Sequence, residues 1–137
     1  MIRGGCMCGA VQFEIESPAK WCAHCHCSMC RHAHSAAFVT WVGVERDRFH
    51  LISGEDSLVR YASSAAAQRT FCRTCGTTML FEGDRWANEV HIARACFGDD
   101  ADLVPSAHAY FDDRAPWLNM GEDLARYGGN SGTEPLE

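Results

Sequence analysis

The chain has 137 residues, 47% of them aliphatic, aromatic or cysteine, and a formal charge of −6. That length and composition make one globular domain with its own core and exclude a disordered chain. With Lys20 as its single lysine and no basic run, the chain is not built for a phosphate backbone, so nucleic-acid binding is disfavoured.

The opening Met1-Ile2-Arg3-Gly4-Gly5-Cys6 lacks a signal-peptide core, and no apolar run approaches the ~20 residues of a membrane span. A cytoplasmic protein is therefore expected. In that compartment nine cysteines at C-x-C and C-x2-C spacings point to metal rather than disulfides. Gly4-Gly5-Cys6-Met7-Cys8-Gly9 reads as a metal knuckle, its glycines permitting the tight backbone. Val11, Phe13 and Ile15 alternate with Gln12, Glu14 and Glu16, the pattern of a half-buried strand that Ser17-Pro18 ends.

Residues 21–31 follow, with four cysteines and two histidines inside nine positions. They read as a loop around a metal, passing through Arg31–Ala36 as a loop or single helical turn. Strands are expected over Ala37–Val44, Phe49–Ile52 and Leu58–Tyr61, the last two joined by a turn at Ser53-Gly54-Glu55-Asp56. Ser63–Gln68 reads as a small-residue connection. Cys72-Arg73-Thr74-Cys75-Gly76 is a second knuckle, with Gly76 expected to free backbone N–H groups for the sulfurs. Strands over Met79–Phe81, Glu89–Ala95 and Ala107–Phe111 complete the domain. With no helix-length amphipathic pattern, the fold is expected to be mainly β, built of many short strands. From Gly128 the chain turns polar and glycine-rich, a frayed tail over residues 128–137.

Cys6, Cys8, Cys72 and Cys75 supply four sulfurs, the complement of a closed structural zinc site. Cys25, Cys27 and Cys30 can close on a second ion while leaving its fourth position for water or substrate, as catalytic sites do. Spacing does not force this partition, because Cys22 and Cys25 also form a C-x2-C pair. The plainer alternative is a second structural zinc closed by Cys22 or a histidine. Cys22 and Cys96 are otherwise expected to be packed, reduced thiols. Trp117 and Phe111 are expected in the core, and His50 and His91 as strand residues with satisfied edges.

The runs Gly5-Cys6-Met7-Cys8-Gly9-Ala10-Val11, Cys25-His26-Cys27-Ser28-Met29-Cys30-Arg31 and Phe71-Cys72-Arg73-Thr74-Cys75-Gly76-Thr77 resemble the glutathione-dependent formaldehyde-activating enzyme family, also called centromere-protein-V-like. Pro105-x-x-His108 and Pro116-Trp117 match its later half. The resemblance implies a β-tent of short antiparallel strands around zinc knuckles, here one domain over residues 1–127. It implies two Zn2+ ions per chain, a structural one on Cys6, Cys8, Cys72 and Cys75 and a catalytic one on Cys25, Cys27 and Cys30. The implied activity is a carbon–sulfur lyase that joins formaldehyde to glutathione, giving S-hydroxymethylglutathione. Ser35 departs from the family pattern, standing where many relatives carry glycine, which is expected to alter the pocket wall.

A zinc on three thiolates suits a fourth thiol, such as glutathione, held as a nucleophilic thiolate. His26, His32 or His34 could supply the carbonyl proton, and Arg31 and Arg73 could hold the tripeptide's carboxylates. The other class that fits is a non-enzymatic zinc-ribbon module that binds a partner protein. No membrane partner is expected, and the sequence leaves a homodimer open.

Overall fold

The computed structural model describes residues 1–121 and 124–136. Glu137, the end of the expected tail, lies outside the described residues, as do Glu122 and Asp123 inside the expected domain. Two sheets enclose the core. The smaller has the order β1–β2–β5, from Ile2–Gly5, Gln12–Ile15 and Phe49–Ser53. The larger contains β3 (Trp21–Cys25), β4 (Val39–Glu45), β6 (Leu58–Ser64), β7 (Ala67–Cys72), β8 (Thr78–Gly83), β9 (Glu89–Ala93) and β10 (Ala107–Ala109). Its order is β10–β3–β4–β9–β8–β7–β6. β11 (Tyr127–Gly128) and β12 (Glu134–Pro135) form a separate antiparallel pair. The one parallel pairing described is β10 with β3. The fold is thus mainly β. Among the described residues no helix is long and apolar enough to cross a membrane.

The alternation in β2 works as expected. Val11, Phe13 and Ile15 are each fully buried and face the inner side of the larger sheet. That side is read off one row of paired residues, Cys22–Val42–Ile92–Leu80–Thr70, crossing β3, β4, β9, β8 and β7. Burying these aliphatic side chains stabilises the domain by about 1.5–3 kcal/mol each.

Two strands of the larger sheet arise where none was expected. Trp21–Cys25 pairs along its length with Val39–Gly43, so the first half of the cysteine cluster is strand rather than loop. Ala67–Cys72 is held between β6 and β8, and cross-strand pairing on both sides overrides the poor β-propensity of Ala67 and Gln68. The expected turn after the cluster is a seven-residue helix, α1 (Ser28–His34), starting earlier than anticipated. Asp113 explains the start: its carboxylate accepts from the Ser28 N–H at 2.7 Å, doing what the Cys27 side chain at the N-cap does not.

Ser35 ends α1 in the left-handed region, at φ 51° and ψ 47°. A side chain with a Cβ is disfavoured there, and glycine would sit without strain. Ser35 is exposed at this C-cap, so its effect is on the helix end. Ser35→Gly is expected to stabilise the chain by roughly 1 kcal/mol in thermal melts. An unchanged or lower Tm would show that the strain is not present in solution.

Candidate active site

The four cysteines of the two knuckles come together. The sulfurs of Cys6, Cys8, Cys72 and Cys75 all lie within 4.8 Å of one another. Cys6 to Cys8 is 3.6 Å and Cys8 to Cys72 is 3.9 Å. Zinc–sulfur bonds of ~2.3 Å in a tetrahedron set the sulfurs about 3.8 Å apart, so the donor set fits zinc in type and spacing. Each knuckle turns on a glycine at φ 80°, Gly9 and Gly76. The Gly76 N–H goes to the Cys72 carbonyl at 2.8 Å, not to a sulfur. The sulfurs instead accept from the Val11 N–H (to Cys6, 3.3 Å) and the Thr77 hydroxyl (to Cys75, 3.2 Å), which holds the Cys75 thiol down to about 5. Among the described residues this is the one group of three or more possible ligands drawn so close together.

Cys25, Cys27 and Cys30 are arranged differently. Cys25 ends β3, Cys27 is the N-cap of α1, and Cys30 is its one buried residue. All three line a single cavity of about 510 Å³. The neighbouring Cys25 thiol and the Arg69 guanidinium hold Cys30 down to about 5 despite its burial. The adjacent Cys30 sulfur, with burial, raises Cys25. The three sulfurs do not all come together at the spacing of the four-cysteine group. Three thiols on one cavity wall are nonetheless a donor set of the right chemistry for an open zinc site.

The cavity wall is the outer face of the larger sheet. One row of paired residues, Trp21–Gly43–His91–Phe81–Arg69, crosses β3, β4, β9, β8 and β7. A Cβ on Gly43 would collide with the Trp21 indole, so glycine lets that ring lie across β4. The indole stacks edge-on against His91 at 4.7 Å, and Trp86 covers the same imidazole at 5.4 Å. His91 is 6% exposed. Its Nε2–H donates to the Glu89 carboxylate at 2.9 Å, leaving Nδ1 as the free ring nitrogen. Glu89 is itself held by Lys20 at 2.8 Å and by the Trp21 N–H at 3.2 Å. Burial keeps His91 below the ordinary histidine value, although Glu89 pulls the other way. His91 is thus the satisfied strand residue that was expected, and also a buried imidazole on the thiol cavity.

The other expected participants sit elsewhere. His26 is fully buried and shares a 2.9 Å hydrogen bond with His108 across β3 and β10. His32 lines a different cavity, between α1 and β6–β7. His34 packs edge-on behind Trp41 and is pushed down to about 4 by burial. Arg31 is committed to the carbonyls of His26 (3.1 Å) and Asp113 (3.0 Å), and Arg73 is exposed on the second knuckle. The buried arginine in the cavity is Arg69. Nothing in a single sequence marks it, since its neighbours in space come from β8 and α1. Cys22 packs with Val42 and Ile92 on the opposite face from Cys25. Cys96, pushed up to about 12 by burial, packs against both core clusters, and all nine cysteines are unbridged. Trp117 and Phe111 are not core residues: they are 67% and 43% exposed. Both follow the last strand of the larger sheet, where Phe111 packs against His26 and His108 at the sheet's edge. A larger cavity of about 870 Å³ opens near Cys6 and Phe38, but none of Cys25, Cys27 and Cys30 lines it.

Residues 1–113 match the glutathione-dependent formaldehyde-activating enzyme family. The chain is 31% identical over 114 residues to an uncharacterized lyase of Schizosaccharomyces pombe, covering 82% of this chain and 80% of the relative. It is 24% identical over 127 residues to a Halomonas elongata protein whose name provisionally assigns it the same formaldehyde-activating activity, covering 88% and 81%. A crystal structure of a Rhodobacter sphaeroides protein shares the fold, with a TM-score of 0.65 at 24% identity over 79% of this chain and all of that one. The order of its cysteine motifs, the match over residues 1–113 and the similarity to the lyase together show that the chain belongs to the glutathione-dependent formaldehyde-activating enzyme family.

Proposed function

We propose that the protein is a zinc-dependent carbon–sulfur lyase acting on the adduct of a small aldehyde with a low-molecular-weight thiol, glutathione being the first candidate. Two zinc ions serve it, a structural one on Cys6, Cys8, Cys72 and Cys75 and a catalytic one on Cys25, Cys27 and Cys30. The observation that carries this reading is the partition of the thiols: four gather at the two knuckles, while Cys25, Cys27 and Cys30 line a 510 Å³ cavity, bordered also by Cys22, beside a buried histidine. Zinc on three thiolates supplies a position where a fourth sulfur stays a thiolate near neutral pH, able to attack a carbonyl or to leave from carbon.

The remaining work falls to the chain itself. Trp21, Trp41, Phe81 and Trp86 wall the cavity and limit water around the reacting carbon. His91, neutral and fixed by Glu89, handles the proton at Nδ1. In the breakdown direction Nδ1 accepts the hydroxyl proton of an S-hydroxymethyl adduct, the oxygen becomes the carbonyl oxygen, and the C–S bonding pair leaves on sulfur. Formation reverses these movements and returns the same proton. Exposed Trp117 and Phe111 favour a partner-binding module, but such a module needs no open thiol cavity.

Exchange between 13C-formaldehyde and its glutathione adduct, followed by NMR, tests the reading. The zinc-loaded protein is expected to accelerate exchange in proportion to its concentration. No acceleration with glutathione or any other small thiol would sink it. Because His91 is held below the usual ~6.5, breakdown is expected to be flat at neutral pH and to fall only at lower pH, as Nδ1 takes a proton. His91→Gln should cost about 10²–10⁴-fold in rate and remove that acid limb. An unchanged limb in the variant would assign the proton to another group.

A further inference from the structure

Arg69 reaches the thiol cavity from β7 and is only 6% exposed. A guanidinium keeps its charge at any working pH, and when buried it ordinarily faces a carboxylate. Among the described residues, no Asp or Glu forms an ion pair with Arg69. Nη2 donates to the Cys30 sulfur at 3.5 Å, the guanidinium carbon lies 4.8 Å above the Phe81 ring, and Nη1 is sealed from solvent without a partner. A charge so placed is costly unless an anion stands next to it. The charged groups at the cavity rim, Asp84 and Arg85, are exposed, and His91 is turned to Glu89. Among the described residues, the anion-forming group it touches is the Cys30 sulfur, one of the three cavity thiols.

Three thiolates on a divalent ion carry one net negative charge, and a fourth thiolate makes it two. We propose that Arg69 is the counter-charge of the Cys25–Cys27–Cys30 centre, and that its charge lets the open position take an anionic sulfur ligand, the thiolate of a small thiol, in preference to neutral water. The thiol's proton is released to solvent on entry. This rests on the lyase reading for the metal and for the thiol. Arg69 acts through Cys30 and the bound ligand's charge, which makes it a positioning residue. Its carbon chain and ring contact alone would be served as well by methionine, so charge and packing make opposite predictions.

The test uses the full chain loaded with cobalt(II), whose thiolate charge-transfer bands report both centres, and glutathione added at fixed neutral pH. The wild type is expected to take up two ions and to change its bands on glutathione binding. Arg69→Met should weaken both the second ion and glutathione roughly tenfold or more, given the size of a buried charge interaction at this distance. Arg69→Lys should stay close to the wild type. The first cobalt centre and the thermal melt check folding, and Arg69→Gln serves if the methionine variant fails them. Neutral variants that match the wild type, or a lysine variant as impaired as they are, would overturn the proposal alone. A wild type that binds one cobalt would overturn it together with the lyase reading. Arg69-dependent glutathione binding without turnover of any adduct would support it and overturn the lyase reading alone.

Discussion

Cys72→Ser is expected to lose one bound zinc and to lower Tm by about 15 °C or more, through the loss of several kcal/mol. Cys72 is fully buried at the end of β7, and its sulfur stands 3.9 Å from Cys8, far away in the sequence. A metal there ties the N-terminal knuckle to the β7–β8 connection. Without it the contact between the two knuckles shrinks to bonds such as that from the Met7 N–H to the Thr77 hydroxyl at 3.1 Å. Structural zinc contributes an apparent 10–16 kcal/mol in small domains, against about 5–15 kcal/mol of total stability for a typical domain. Cys6 and Cys72 also belong to the main core cluster, so disorder in the knuckles reaches Phe13 and Ile92. Zinc content with a thermal melt decides the matter, and chelator treatment of the wild type should reproduce the variant. Unchanged Tm and metal content would rule out a structural ion at this site.

Cys27→Ser should have the opposite profile: turnover reduced by at least about 10³-fold, one zinc lost, and Tm within a few degrees of the wild type. Cys27 is half-buried, makes no capping bond at the start of α1 and is outside the clusters' buried members. The helix start is held from elsewhere, by Asp113. Its removal therefore costs the fold little, whereas an open centre left with two thiolates holds zinc poorly. Cys25→Ser and Cys30→Ser are less clean tests, because both residues are buried against Val39, Trp41 and Ala93. Formaldehyde exchange, metal analysis and a melt on the same sample give the three readouts. Retained turnover in Cys27→Ser would remove Cys27 from the centre.

The features legible in the sequence were those that depend on near neighbours. A cysteine pair followed by glycine makes a knuckle wherever it sits, because the turn needs only the local backbone, and Gly9 and Gly76 adopt the same φ. Val11, Phe13 and Ile15 announce a strand with one buried side by alternation. The same local reasoning misled at Trp21–Cys25, where cysteine spacing hid a strand whose evidence lay in its partner, Val39–Gly43. It misled again at Trp117, where an aromatic residue was taken for core although the structure leaves it exposed.

By itself, then, the sequence determined the mainly β class and the family, and it singled out the seven thiols proposed here as zinc ligands, since spacing and alternation survive without knowledge of the partner strand. Tertiary structure decided which side chains meet those thiols. His91 and Arg69 lie far apart along the chain and come onto one line only because β7, β8 and β9 pair in a particular register. A shift of one residue in any of these strands would send them to the core side, where Ile92 and Thr70 now stand. Register is set by the packing of two whole sheets, and no short stretch of residues records it.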